Sequence, residues 1–152
     1  MKAKIITIII LISLINCVSA QSCDTIDSKI QKKYDSYSKR KMNKLLLAEN
    51  KKLYEWFNIA EYLRIKGDTI YKLWYQKIVK IMPSAIKNHY YDGYSNVRRT
   101  QLFYIGGLSY YYTGNFLQAK KYFSAVLTRT SNNHPCAGFY MRQIEFKIKS
   151  TE

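Results

Sequence analysis

Acidic residues are scarce in this sequence: ten Asp and Glu stand against 25 Lys and Arg in 152 residues, a formal charge of +15. Histidine occurs twice, as His89 and His134, and proline twice, as Pro83 and Pro135. Three cysteines are present, and no two have Cys-x2-Cys spacing. Each shortage excludes something. The few acids form no evident carboxylate pair for glycoside cleavage or metal binding, and neither histidine stands in a catalytic constellation. Without a Cys-x2-Cys element a zinc site is not expected. Gly106-Gly107 lies inside a helical pattern and not in a phosphate-cradling loop. We expect no catalytic residue, no metal and no cofactor, and do not read the chain as an enzyme. His134, beside Pro135, reads as an exposed loop residue; His89, three residues before Asp92, reads as a local surface contact.

The first twenty residues have their own logic. Lys2 and Lys4 precede an apolar run, Ile5 to Ile15, which is followed by Val18-Ser19-Ala20. A charged start, a short apolar stretch and a small-residue cleavage site read as a removed signal peptide over residues 1–20, with a retained N-terminal anchor as one alternative, although the run is short for a bilayer span. Leu14-Ile15-Asn16-Cys17 is loosely similar to a lipobox, though Asn16 departs from the small residue expected there, so Cys17 offers an outer-membrane lipoprotein as the alternative. The expected location is periplasmic or secreted. Residues 21–152 form one domain with no transmembrane segment. Lys2 and Lys4 leave with the signal, so the charge falls from +15 to +13. Such a surface attracts anionic partners, whereas export disfavours nucleic acid. A composition rich in Lys, Ile, Asn and Tyr, of the AT-rich-coding kind, is the blander source of the same charge. Cys23 and Cys136 then remain as an even pair in an oxidising compartment. A bridge would staple the start of the mature chain to its last helix, with about 5 kcal/mol from chain entropy at best. Two separate thiols are the alternative.

What is abundant is helical periodicity. Apolar positions recur every three and four residues after Cys23, and no alternating stretch with hairpin turns stands out, so the fold class is all-α. The expected helices cover 25–47, 49–66, 68–83, a short uncertain 84–90, 96–113, 116–129 and 136–149. Gly67 and Gly114 are expected left-handed stops; Asp68 and Asn115 are expected caps. On the first helix Lys32, Lys33, Lys39, Arg40 and Lys41 crowd one basic face, either a phosphate-contacting surface or a solvated one.

The most informative signal is internal repetition. Phe103-x2-Gly106-Gly107-x2-Tyr110 is followed by Gly114 and then by Ala119-x3-Phe123. Upstream, Trp56-x2-Ile59-Ala60-x2-Leu63 is followed by Gly67, Tyr71-x3-Tyr75 and Pro83. These intervals resemble the tetratricopeptide repeat. The segments are about 100–133, the better match, and 53–83. They depart from the pattern where Gly106 replaces leucine, where Ser131 replaces the closing proline, and where the upstream second helix begins one residue early. The resemblance implies antiparallel helical hairpins stacked as a short array, with an added N-terminal helix and a capping helix at 136–149. Gly107 and Ala60 would be the small residues at the helix crossings, with Phe123 or Ala119 opposite Gly107. Gly106 has no role in the pattern.

From Trp56 to Phe103 is 47 residues, 13 more than the family period of 34. The surplus falls in 84–99, which contains His89, Tyr90, Tyr91 and Tyr94. This insert is either a binding loop or a prolonged second helix packed on its neighbour. The resemblance further implies a scaffold that holds a protein or peptide partner in a groove lined by the first helix of each hairpin. By the phase of the pattern the groove residues are Tyr54, Phe57, Glu61 and Arg64 in one copy, and Gln101, Tyr104, Leu108 and Tyr111 in the other. The alternative is that terminal helices cover this face and make it core. Phe57 and Glu61 do not match the family's carboxylate-clamp residues. The rival readings are a basic envelope protein that binds anionic glycan or lipid, and a small exported inhibitor or immunity-type protein that uses the insert.

Overall fold

Helix boundaries follow the residues that stop helices. The computed structural model describes residues 23, 27–38, 41, 53–91 and 95–150, with the side chains of 89–91 left aside. Among these residues are six helices and no strand: α1 (Ser28–Asp35), α2 (Leu53–Ile65), α3 (Tyr71–Tyr91), α4 (Asn96–Tyr112), α5 (Phe116–Arg129) and α6 (Pro135–Lys149). The segment read as a signal peptide, together with Cys17, Lys39, Arg40 and Tyr94, lies outside the described residues.

The two expected glycine stops have one geometry. Gly67 has φ 74° and Gly114 φ 83°, the left-handed region that glycine adopts without steric cost. At the first stop Asp68 N–H donates to Leu63 C=O at 2.9 Å and Gly67 N–H to Arg64 C=O at 3.0 Å. At the second, Asn115 N–H donates to Tyr110 C=O at 2.9 Å and Gly114 N–H to Tyr111 C=O at 3.1 Å. Both ends are Schellman motifs, which satisfy carbonyls that a helix terminus would leave unpaired. The next helix then starts on a polar cap. Asn115 Oδ1 accepts from Gln118 N–H at 3.2 Å, and Asp68 Oδ1 accepts from Ile70 N–H at 3.0 Å, one turn before α3 begins.

Cross-helix contacts give the directions. Phe103 lies under Arg129, and Tyr111 is 5.7 Å ring to ring from Phe116, so α4 and α5 are antiparallel. Tyr75 stacks on Tyr112 at 5.1 Å while Met82 approaches Gly106, so α3 and α4 are antiparallel as well. Phe123 stacks on Tyr140 at 5.4 Å, and Lys147 Nζ lies over Phe116 at 5.5 Å, which reverses α6 relative to α5. Lys77 Nζ lies over the Trp56 ring at 4.2 Å while Tyr75 reaches Glu61, so α2 and α3 are antiparallel too, and α2, α4 and α6 run parallel to one another, with α3 and α5 returning between them. One buried cluster joins all six helices. It includes Tyr34, Trp56, Ile59, Trp74, Tyr75, Ile78, Leu108, Phe123 and Ile144. Burying such aliphatic and aromatic side chains stabilises by roughly 1.5–3 kcal/mol each.

Several expectations need correction. The N-terminal helix does not run to 47. It ends at Asp35, where Ser36 Oγ donates to Lys33 C=O at 2.7 Å and the buried Tyr34 ring packs edge-on against Tyr37. Lys32 and Lys33 are therefore on α1, and the exposed Lys41 is beyond it. The helix before Pro83 does not stop there. It continues to Tyr91, so 84–91 is the prolonged second helix, the expected alternative to a binding loop. Pro83 is on the exposed side of α3; the carbonyl it leaves without a donor can be satisfied by water there.

Cys23 and Cys136 come to disulfide distance, with Cα atoms 5.3 Å apart. Gly106 acquires a reason as well. A Cβ there would run into the Tyr122 ring, just as one at Gly107 would run into Phe123. Ala60 is fully buried beside Trp56, which is 4% exposed.

Candidate functional site

Because α2 and α4 run parallel, residues at the same phase of each helix come side by side. Near their N-terminal ends they do not close on each other, and a cavity of about 280 Å³ lies between them. From α2 it is lined by Tyr54, Phe57 and Asn58. From α4 it is lined by Thr100, Gln101, Tyr104 and Ile105. The third wall is His134, at the start of α6. Tyr54 and Gln101 are exposed at the rim, and Ile105 is buried.

His134 has two constraints. Its Nδ1 accepts from Ala137 N–H at 3.1 Å and so caps α6, while its ring lies 4.9 Å from that of Tyr104. Burial lowers its pKa below the ordinary 6.5, with its own backbone hydrogen bond opposing more weakly. A neutral imidazole is also what the cap demands, since Nδ1 must be without a proton to accept one. Tyr104 also packs edge-on against Phe123 at 5.9 Å. The wall of the cavity is thereby tied to the helix crossing at Gly107.

One or two turns further along, the same two helices are closed. Glu61 receives Arg64 through both oxygens, Nε to Oε1 at 3.1 Å and Nη2 to Oε2 at 3.0 Å. The Tyr75 hydroxyl donates to Glu61 Oε1. The Arg64 guanidinium lies over the Tyr112 ring at 5.0 Å, and the Tyr112 and Tyr140 hydroxyls are 2.9 Å apart. Burial raises the Tyr75 pKa well above its ordinary value, and the Glu61 carboxylate raises it further. Burial alone would lower Arg64, but its hydrogen bonds to Glu61 and the attraction of that carboxylate together outweigh it and hold the guanidinium above its usual value. This belt joins α2, α3, α4 and α6 and closes the interval beyond the cavity.

The groove residues expected from the sequence are therefore divided. Tyr54, Phe57, Gln101 and Tyr104 surround one cavity. Arg64 is in the belt, with its side chain 12% exposed. Leu108 is 1% exposed and belongs to the core, not to a groove, because it sits on the α4 stretch that the neighbouring helices cover. Tyr111 is half-buried among Tyr112, Phe116 and Tyr140. In the insert, His89, Tyr90 and Tyr91 lie in the last turn of α3. Lys32 and Lys33 are exposed, and Lys33 Nζ is 3.7 Å from Glu55 Oε1.

His134 is the residue that sequence reasoning missed. It is half-buried and structural, not an exposed loop residue. The signal was Pro135. Proline favours the first helical position, which makes the residue before it the cap. Asn58 and Thr100 carried no signal of their own.

Among the described residues, no group of three His, Cys, Asp or Glu could hold a metal ion, and no helix is long and apolar enough to cross a membrane. Comparison with protein-family models, with curated proteins and with solved structures finds no match to the chain.

Proposed function

We propose that this chain is an exported, tetratricopeptide-like scaffold that holds a protein or peptide partner in the cleft between α2, α4 and the start of α6. The observation that carries the reading is the grouping of Tyr54, Phe57, Gln101 and Tyr104 around one cavity. Those four positions follow from the phase of the repeat alone. The paired Schellman turns at Gly67 and Gly114 support the repeat, as do the parallel course of α2, α4 and α6 and the fit of Gly107 against Phe123. The Cys23–Cys136 pair at disulfide distance supports an oxidising compartment. Large aromatic side chains around a recess are the groups that dominate binding energy where one partner presents a pocket.

The test is selection from a random linear-peptide library on the oxidised mature chain, followed by affinity measurement. Selected peptides are expected to lose about tenfold or more in affinity with Tyr104→Ala. They should bind Leu117→Ala, altered at an exposed site on α5, as they bind the original chain. Peptides that bind all three proteins alike would overturn the reading. Binding that vanishes with added salt and ignores Tyr104→Ala would favour the rival, a basic surface for anionic glycan or lipid.

A further inference from the structure

Resting on that scaffold reading, we propose that the α2–α4 cavity takes one uncharged aromatic side chain, presented by a peptide whose neighbouring residues are acidic.

Size comes first. At about 280 Å³ the cavity is at the small end of the range typical of small-molecule sites. It suits one inserted side chain better than a whole metabolite. Chemistry comes second. Tyr54, Phe57 and Tyr104 supply three rings, and Ile105 an aliphatic floor. Rings gain from edge-to-face and offset contact with another ring, beyond area burial alone. Not one lining residue carries a formal charge, His134 being neutral as the α6 cap. A carboxylate inserted there would be desolvated with no cation among the lining groups to meet it, which is costly. The carboxamides of Asn58 and Gln101 can each donate and accept, so they suit a peptide backbone or a phenol hydroxyl and not an ion.

Charge decides between the remaining candidates. A cage of rings also attracts cations. The mature chain, however, carries +13 once Lys2 and Lys4 are removed, and α1, which packs on α2 through Tyr34 and Tyr62, exposes Lys29 and Lys32 beside the Lys33–Glu55 pair. That field repels a cationic peptide and draws in an acidic one. The ring therefore supplies the short-range contact and the acidic flanks supply the attraction over distance.

Peptides from the selection above are read for composition, and the tightest is resynthesised with single replacements. The expected result is one Phe, Tyr or Trp in the binders with Asp or Glu within a few residues. Replacing that ring by Ala should weaken binding about tenfold or more, and replacing it by Leu should weaken it less. Replacing the acids by Asn or Gln should slow association and remove most of the salt dependence. The protein variant Gln101→Ala, at an exposed position, serves beside Tyr104→Ala in case the latter disturbs the Phe123 contact. Binders that depend on Tyr104 but carry no aromatic residue, or that carry Lys or Arg in its place, overturn this proposal and leave the scaffold standing. If no selected peptide depends on Tyr104 or Gln101, the scaffold reading falls and this one with it.

Discussion

The Phe123 ring occupies the space that a side chain at Gly107 would need. A Cβ built on Gly107 would stand 2.7 Å from Phe123 Cε1 and 2.8 Å from Cδ1, and Phe123 is fully buried and stacked on Tyr140. Glycine inside a helix costs about 1 kcal/mol relative to alanine. At this position the cost is offset by letting the Phe123 ring of α5 pack directly against the α4 backbone.

Gly107→Ala is therefore expected to destabilise the fold by about 1–3 kcal/mol, because the overpacking strain exceeds the helix-propensity gain. Gly106→Ala should cost at least as much, since a Cβ there runs still closer into the Tyr122 ring, which is itself packed against Phe103 and Tyr110. Urea unfolding of both variants measures the order. If Gly107→Ala is neutral or stabilising, the close crossing is absent in solution.

Stability should fall on mild acidification through His134. Its folded pKa lies below the ordinary 6.5, so the unfolded chain binds the proton first. The contribution is complete above pH 6.5, is lost as pH falls through the folded value, and levels off below it. His134→Asn keeps a cap without a titrating group, and the difference between its stability curve and that of the original chain should show this fall. His134→Ala should cost about 1 kcal/mol at neutral pH through the lost cap. Identical pH profiles for His134→Asn and the original chain would refute the assignment.

Reduction should weaken the fold by as much as about 5 kcal/mol in the chain-entropy limit for so long a loop. A reductant should lower the denaturation midpoint of the original chain and leave the Cys23→Ser/Cys136→Ser variant unmoved. Free-thiol titration of the unfolded, unreduced mature chain should find no reactive cysteine. Two reactive thiols there would mean the pair is not bonded.

Glu61→Gln should cost about 1–3 kcal/mol, because the half-buried Arg64 guanidinium loses the charge-assisted hydrogen bonds that Glu61 accepts. The double variant Glu61→Gln/Arg64→Met should be more stable than that single one, since the stranded charge is gone. A double-mutant cycle by chemical denaturation reads the coupling. Additive effects would mean that the two side chains do not interact.

Much of the helical layout was legible in the amino-acid order, because it depends on local chemistry. Gly67 and Gly114 end helices for conformational reasons that no distant residue alters. Asn115 caps α5, whose expected bounds coincide with those observed. Local reasoning failed where burial or exposure decided the outcome. Pro83 looked like a stop, but a proline on a solvent-facing side does not break a helix whose other faces are packed. The 25–47 periodicity looked continuous, yet α1 ends where Tyr34 is held against α2 and Ser36 turns the chain. Gly106 had no reason until Tyr122 was beside it.

The candidate site divides in the same way. The phase of the tetratricopeptide pattern that the chain resembles put Tyr54, Phe57, Glu61 and Arg64 on one first helix and Gln101, Tyr104, Leu108 and Tyr111 on the other, on the sides that would face a groove. Which part of that face stays open is a property of how three parallel helices diverge, and no local pattern encodes it. Around Arg64 and Tyr112 the helices close over a bidentate ion pair and stacked rings. Near Tyr54 and Tyr104 they part, and His134, thirty residues beyond Tyr104 in the chain, supplies the remaining wall. Sequence by itself determined the elements and the face they share. Only the tertiary packing decided which residues on that face are core and which line a cavity, because that depends on contacts between residues far apart in the chain.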